Sequence, residues 1–519
     1  MKNILFVVLA VCLFAACKKT EELGEAPRLF RPVISGQLSA DSNTIVAAWL
    51  KVTGAKSYRL QLSRDTFRTI DLSILTDTNV AVVKQLLFNQ LYQVQVSAVA
   101  SDTTRNSGWS MLGPIRTLSS ILKMPAIDDI TFNSVRVRWI TKGAPVSSIK
   151  ILKTADSSVV AQVSLNAVDI ANEFKVVSGL TAATKYTIFL NSGTNIRGYV
   201  DFNTKAPFSG TVIDLTGITG RPSVLADTLP VIASGSTVLL KRGEIYNIAA
   251  SYSFNKSLVI MSGPDLSVTG QAKIFFTNNF NFAAGATIDS IEFNDVHMYS
   301  DSYGSRYIFN TTNSANVGKI KFMNSRVEIF RGVLRLQSGT TTVNNFIIDN
   351  SIVDSIAGFG VLTVGVASCK VDNILFTRST IYKAEKVISS VQNSTSLLFE
   401  SCTFNEVPAG NGYYIDYSSA SANTISNGIT ISNCIFGVAK NIAANVLVRG
   451  YRANAATVVS SSNNYRTSDF VSGGNDFPNV TTYTRPAAQL WENPAAGNFK
   501  IADATYPGRS SNGDPRWRF

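Results

Sequence analysis

Between positions 319 and 335 this 519-residue sequence gathers Lys319, Lys321, Arg326, Arg331 and Arg335, opposed only by Glu328. Cationic side chains this closely spaced hold anionic groups, and a guanidinium can grip a carboxylate through two parallel hydrogen bonds. A second set follows at Arg378, Tyr382 and Lys383. Tyrosines concentrate in Gly412-Tyr413-Tyr414-Ile415-Asp416-Tyr417, with Arg449 and Arg452 downstream. In a strand, alternation places Tyr413 and Tyr417 on one face and Tyr414 and Asp416 on the other. Whichever face is outside presents rings that can stack on sugars, while the inner face packs in a core. The single histidine, His297, leaves room for at most one His-based triad, and no Cys/His metal spacing occurs.

The elements that would position these residues are short apolar strands separated by Asn, Ser and Gly. Ile291-Glu292-Phe293, Ile320-Lys321-Phe322, Phe346-Ile347-Ile348, Ile374-Leu375-Phe376, Leu397-Leu398-Phe399 and Ile429-Thr430-Ile431 align, with third members 29, 26, 28, 23 and 32 residues apart. That spacing predicts one solenoid turn per triplet, with loops of variable length. Two positions after each anchor stand Asp295, Asn324, Asn350, Arg378, Ser401 and Asn433. Three after stand Val296, Ser325, Ser351, Ser379, Cys402 and Cys434, and five after stand Met298, Val327, Val353, Ile381, Phe404 and Phe436. Stacked coils require such columns: amides bonding between neighbours, small residues at a tight bend, and large apolar residues inside. Cys402 and Cys434 accordingly read as buried packing. Asp349 and Glu400 are the only calcium candidates, but Thr377 falls between them, and two coils of separation, roughly 10 Å, is too far for one ion without further ligands.

Gly235-Ser236-Thr237-Val238-Leu239-Leu240-Lys241-Arg242-Gly243-Glu244-Ile245-Tyr246, followed by Leu258-Val259-Ile260-Met261-Ser262-Gly263, resembles the opening turns of pectate-lyase-like right-handed parallel β-helices. Asn498-Phe499-Lys500-Ile501 and Gly513-Asp514-Pro515-Arg516-Trp517 resemble the ending of uncharacterised Bacteroidetes β-helix lipoproteins. The resemblance implies a surface that binds or cleaves long polysaccharides. It turns Arg326, Arg331, Arg335, Arg378, Tyr382 and Lys383 into candidates for an acidic-sugar site, where elimination needs a base for the C5 proton and cationic stabilisation of the carboxylate. The pectate-lyase signatures that set an Arg beside a Pro, and an Asp-His pair on a strand, are absent.

Upstream, Pro27 to about Lys205 reads as two all-β units. Thr44-Ile45-Val46-Ala47-Ala48-Trp49, then Leu86 six residues before Tyr92, is matched by Val135-Arg136-Val137-Arg138-Trp139 and Leu180-Thr181-Ala182-Ala183-Thr184-Lys185-Tyr186. Both resemble fibronectin type III domains, with a buried Trp and the approach to a tyrosine corner, although the first copy lacks the Thr. The first sixteen residues, MKNILFVVLAVCLFAA, read as a secretory signal, too short to remain as a span. Phe14-Ala15-Ala16-Cys17 resembles a lipobox, which implies acylation of Cys17, and Glu21 and Glu22 resemble a surface-export signal of Bacteroidetes lipoproteins.

The expected organisation is a signal at 1–16, a linker at 17–27, fibronectin type III-like domains at 28–118 and 119–206, and an all-β parallel helix with a cap at 207–519. The net charge of +12 comes mostly from 1–206, with 23 basic against 14 acidic residues; 207–519 carries 24 against 21. The charge therefore argues neither for nucleic acid nor for a strongly basic β-helix. The lipobox and β-helix resemblances together imply a monomeric, lipid-anchored outer-membrane protein, facing the cell exterior, that captures or processes polysaccharide. It has no implied cofactor, calcium lacking a clear site. A uronate lyase acting by β-elimination, and an adhesin using its fibronectin-like pair, are the alternatives.

Overall fold

In the computed structural model, residues 28–208, 210–417, 422–442 and 444–518 are described. The signal segment and Cys17 lie outside them. The chain divides into two compact units between Pro207 and Phe208.

The first unit holds two β-sandwiches. In the first, Ser39–Asp41, Thr44–Ala48 and Val80–Val83 form one sheet, and Leu72–Thr76, Ser57–Ser63, Leu91–Val99 and Ser110–Arg116 form the other, in that spatial order. The second pairs Phe174–Ser178 with Ser134–Arg138, opposite Val159–Ser164, Ser148–Lys153, Lys185–Ser192 and Asn195–Asn203. Both are fibronectin type III-like in strand order, and Trp49 and Trp139 are buried in their cores. Each tyrosine corner closes: the Tyr92 hydroxyl accepts from Leu87 N at 3.2 Å and the Tyr186 hydroxyl from Thr181 N at 2.9 Å. The Thr missing from the first copy is not what the corner needs. Thr117 and Thr204, each just past the end of the following strand, accept from Gln90 N and Thr184 N, both at 3.0 Å, and donate to Leu87 O and Thr181 O.

The second unit is a parallel β-helix. Among the described residues its first face stacks ten strands in sequence order from Val212–Asp214 to Val459–Ser462, with Ala286–Ile288 as an eleventh off that path. The six expected anchors share one register, extended by Val238 and Ile260 ahead of Phe293. A 17-stranded sheet supplies the second and third faces. Met298, Val327, Val353, Ile381, Phe404 and Phe436 form an inward column on the second face.

The corner between the first and second faces explains the Asn-rich column. Asp295, Asn324, Asn350, Arg378, Ser401 and Asn433 all adopt left-handed backbone, φ 45–57°, a conformation Asn and Asp tolerate best among residues bearing a Cβ. Amide rungs form where two Asn are adjacent, Asn350 donating to Asn324 and Asn463 to Asn433, both at 2.6 Å.

Residues 483–518 fold back as a strap over the outer side of the second face. A hairpin of Trp491–Asn493 and Asn498–Ile501 packs Leu490, Trp491, Phe499 and Tyr506 onto Tyr382 and Ile435. The strap's last residues then run along the corner. Asn512 donates to Asn463 O, Gly513 N to Asn433 O, Asp514 N to Thr403, and Arg516 to Asn350 O, while Thr380 donates to the Asp514 carboxylate and accepts from Trp517 Nε1. Gly513 is required there: its φ is 71°, and a Cβ would meet Thr403 Oγ1 at 2.7 Å.

Candidate functional site

The basic stretch does not converge on one groove. Left-handed residues at Asn324 (φ 53°) and Ile329 (φ 63°) turn the chain twice, so Lys319 and Lys321 lie on the first face, Arg326 on the second, and Arg331 and Arg335 on the third. Glu328 is not its sole counter-charge either. Lys319 pairs with Glu292 at 2.6 Å, and Arg326 pairs with both Glu328 and Asp354.

Three of the other cationic or phenolic candidates are committed elsewhere. Arg378 grips Asp349 with both carboxylate oxygens at 2.7 and 2.8 Å, and Thr377 donates to the same carboxylate. Asp349 is thereby spent on a corner bridge, and Glu400 stands two rungs away and exposed, with Thr377 between in register. Among the described residues no group of three or more His, Cys, Asp or Glu could hold a metal ion. Tyr382 is buried beneath the strap and its ring meets Phe499 at 5.2 Å. Lys383 donates to Ala495 O at 2.6 Å.

The tyrosine strand corrects the expected alternation. Tyr414 and Ile415 are both buried, a slip of one residue, so Tyr413 and Asp416 face outward whereas Tyr414 and Tyr417 face inward. Tyr417 is therefore no sugar platform: it is fully buried, its hydroxyl donating to Ser394 Oγ at 2.7 Å. Tyr413, Arg449 and Arg452 do come together, the guanidiniums lying 5.4 and 4.7 Å from the Tyr413 ring centre. Arg452 is bound through two nitrogens to Asp416, and Arg449 bonds the carbonyls of Gly473 and Asn411.

On the third face Arg331 and Arg335 stack on Phe359, at 4.7 and 3.9 Å from its centroid. Tyr307 adjoins the stack, its hydroxyl accepting from Arg335 at 3.3 Å. Gly332 makes room, since a Cβ there would lie 3.0 Å from Phe359 and 3.1 Å from the Tyr307 ring. No ion pair reaches Arg331 or Arg335 among the described residues. Arg335 is in register with Thr363, Ser389, Asp416 and Arg452 on the four succeeding rungs, so both Arg/aromatic clusters share one face, roughly 19 Å apart.

The second face carries a chain of polar contacts: His297 to Glu328 at 2.8 Å, Arg326 Nε to Glu328 at 2.8 Å, Arg326 Nη2 to Asp354 at 2.7 Å and to the Tyr382 hydroxyl at 3.4 Å. The hydrogen bond from His297, with Arg326 behind it, holds the Glu328 carboxyl down to about 2, whereas burial pushes that of Asp354 up against the pull of Arg326. Phe275, Tyr299, Glu328, Asp354 and Tyr382 occupy consecutive rungs of one outward column. That column was readable as the residues one place after Ile274, Met298, Val327, Val353 and Ile381. Phe359, missed from sequence, had a weaker signal: an aromatic between two glycines in a strand.

Residues 244–384 match a domain of unknown function (DUF4957), and residues 397–517 match a second domain of unknown function (DUF5123). The first covers the coils that carry both arginine clusters of the 326–335 segment; the second covers the last coils and the strap, ending at Trp517. No curated protein matches. Among solved structures, the chicken CNTN1 FN1–FN3 domains are 14% identical over 35% of this chain and 69% of theirs, with a TM-score of 0.17. A two-domain fibronectin type III segment of chicken tenascin is 17% identical over 34% of this chain and 99% of its own, with a TM-score of 0.16. The fibronectin type III character of the two sandwiches rests on their strand order and tyrosine corners. Among the described residues no helix is long and apolar enough to cross a membrane.

Proposed function

We propose that this chain is a cell-surface lipoprotein, anchored through Cys17, whose pectate-lyase-like β-helix binds an acidic polysaccharide on its third face. The observation that carries this reading is the stacking of Arg331 and Arg335 on Phe359 with no carboxylate partner among the described residues. A guanidinium lying on an aromatic ring keeps donors at its edge for a ligand carboxylate; at Arg335 this is chiefly Nη2, since Nη1 donates to the Tyr307 hydroxyl and Nε is buried. Binding is favoured over β-elimination because Arg326, Arg378 and Lys383 are committed to Glu328 and Asp354, to Asp349, and to the Ala495 carbonyl.

Affinity gels containing pectate, alginate or a neutral glucan test this. The acidic polymers retard the wild-type protein, Arg331→Ala/Arg335→Ala loses at least about tenfold in affinity, and the neutral glucan retards neither. Failure of every acidic polymer to retard the wild type sinks the reading. Release of an ultraviolet-absorbing unsaturated uronate would replace it with lyase activity. For the anchor, incorporation of a labelled fatty acid is expected in the wild type and lost in Cys17→Ala.

A further inference from the structure

The second face has an open part and a covered part, and the border between them falls at an unusual group of residues. From the successive rungs of Ile352 and Tyr382 onward the strap covers the outer side. On the earlier rungs, Lys273, Phe275, His297, Tyr299, Arg326 and Glu328 remain partly accessible, the His297, Glu328 and Arg326 side chains at 20%, 19% and 36%. Phe275 and Tyr299 sit on adjacent rungs with ring centres 5.0 Å apart, and His297 adjoins Tyr299 at 5.2 Å. The border is a wall rather than a slope. A Cβ on Gly497 would meet the Tyr382 hydroxyl at 2.4 Å, Phe499 stands edge-on to the Tyr382 ring, and Lys383 is tied to Ala495.

The charges of this strip cancel. Arg326 and Lys273 balance Glu328 and Asp354, and Arg326 already spans both carboxylates. A carboxylate-bearing ligand gains nothing here, unlike at Arg331 and Arg335. What remains is an aromatic shelf ending in partly exposed hydrogen-bonding groups, a carboxylate acceptor and an imidazole. A pyranose ring has one apolar C–H face and a rim of hydroxyls, which fits that arrangement: the face packs on Tyr299 and Phe275, and hydroxyls donate to the Glu328 carboxylate.

We propose that the open strip of the second face is a second, separate carbohydrate site that takes the terminus of a neutral glycan chain, Phe275 and Tyr299 stacking its sugars and the strap at Tyr382 and Gly497 stopping it at Glu328. A chain running along the rungs leaves in one direction only, so the site reads an end and not an internal stretch. This inference rests on the β-helix being a glycan-binding element, but it uses different residues, a different face and an uncharged ligand.

The test uses the whole mature protein in detergent and linear cello-, xylo- and manno-oligosaccharides of two to eight sugars, titrated by calorimetry. At least one series is expected to bind with an affinity that rises over the first few sugars and then stays level per chain. In Phe275→Leu/Tyr299→Leu, which keeps apolar bulk, that affinity drops at least about tenfold, while Arg331→Ala/Arg335→Ala leaves it unchanged. Affinity that keeps climbing with chain length, or survives Phe275→Leu/Tyr299→Leu in a protein with unchanged circular dichroism, overturns the proposal. So does absence of binding by all three series. Retention of acidic polymers, read with the third-face variant, then reports separately on whether the acidic-polysaccharide reading stands.

Discussion

Serine and cysteine share a column of the first corner because each supplies a small donor to the same acceptor. Ser325, Ser351, Ser379, Cys402 and Cys434 all bond the carbonyl two residues back, those of Met323, Asp349, Thr377, Glu400 and Ser432. Cys402→Ser and Cys434→Ser are therefore expected to shift stability by less than about 1 kcal/mol, measured by urea titration. Burial pushes the Cys402 thiol well up, and Cys369 and Cys434 are buried too. Iodoacetamide should leave all three unlabelled in the native protein and label them after denaturation. Tyr414 differs from Tyr417 in that its buried hydroxyl has no hydrogen-bond partner among the described residues. Tyr414→Phe should raise the unfolding free energy by about 1 kcal/mol, and a lower value would imply a bond that the geometry lacks. At this scale the sequence was legible where position alone decides burial, as for the cysteines. It was illegible where one residue of phase decides, as at Tyr417, because nothing local marks the slip between Tyr414 and Ile415.

At the scale of elements, the anchors were legible because register and apolarity repeat together. The bends that scatter Lys319 to Arg335 over three faces were only half legible. Asn324 announces its left-handed backbone, but Ile329 (φ 63°) is β-branched and gives no such sign. The strap's ending was recognised as a segment, and its role as a cover came only from its partners. Asp514 governs that cover. It is fully buried, and burial pushes its carboxyl up to about 6, against Arg516 and Arg518. Between roughly pH 4 and pH 6 the docked strap keeps this proton while the released strap has lost it. The stabilisation is thus complete below about pH 4 and is lost as pH rises through 6. The denaturant midpoint of strap release, followed by Trp517 fluorescence, should be higher near pH 5 than near pH 7.5, and Asp514→Asn should remove that part of the difference.

For the whole molecule, the division at Pro207 and Phe208 separates two kinds of cohesion. The sandwiches keep their own cores around Trp49 and Trp139, and the β-helix has one continuous core from Leu215 to Phe477. Calorimetry should resolve more than one unfolding transition, and a single two-state transition for the full chain would contradict it. The all-β class was legible because no helical period competes with the strand patterns. The placement of ligand sites was not, since charge totals per segment do not say which of three faces a residue meets.

The strap also has a mechanical meaning. Its final residues meet Asn463, Asn433, Thr403, Thr380 and Asn350, one contact or two on each of five successive coils. Tension applied at the C-terminal end loads these attachments one after another, as in peeling tape, whereas tension along the coils shears a whole parallel ladder at once. Force would therefore strip the cover at low load, in steps one coil apart, and lay the second face bare while the body beneath stays folded.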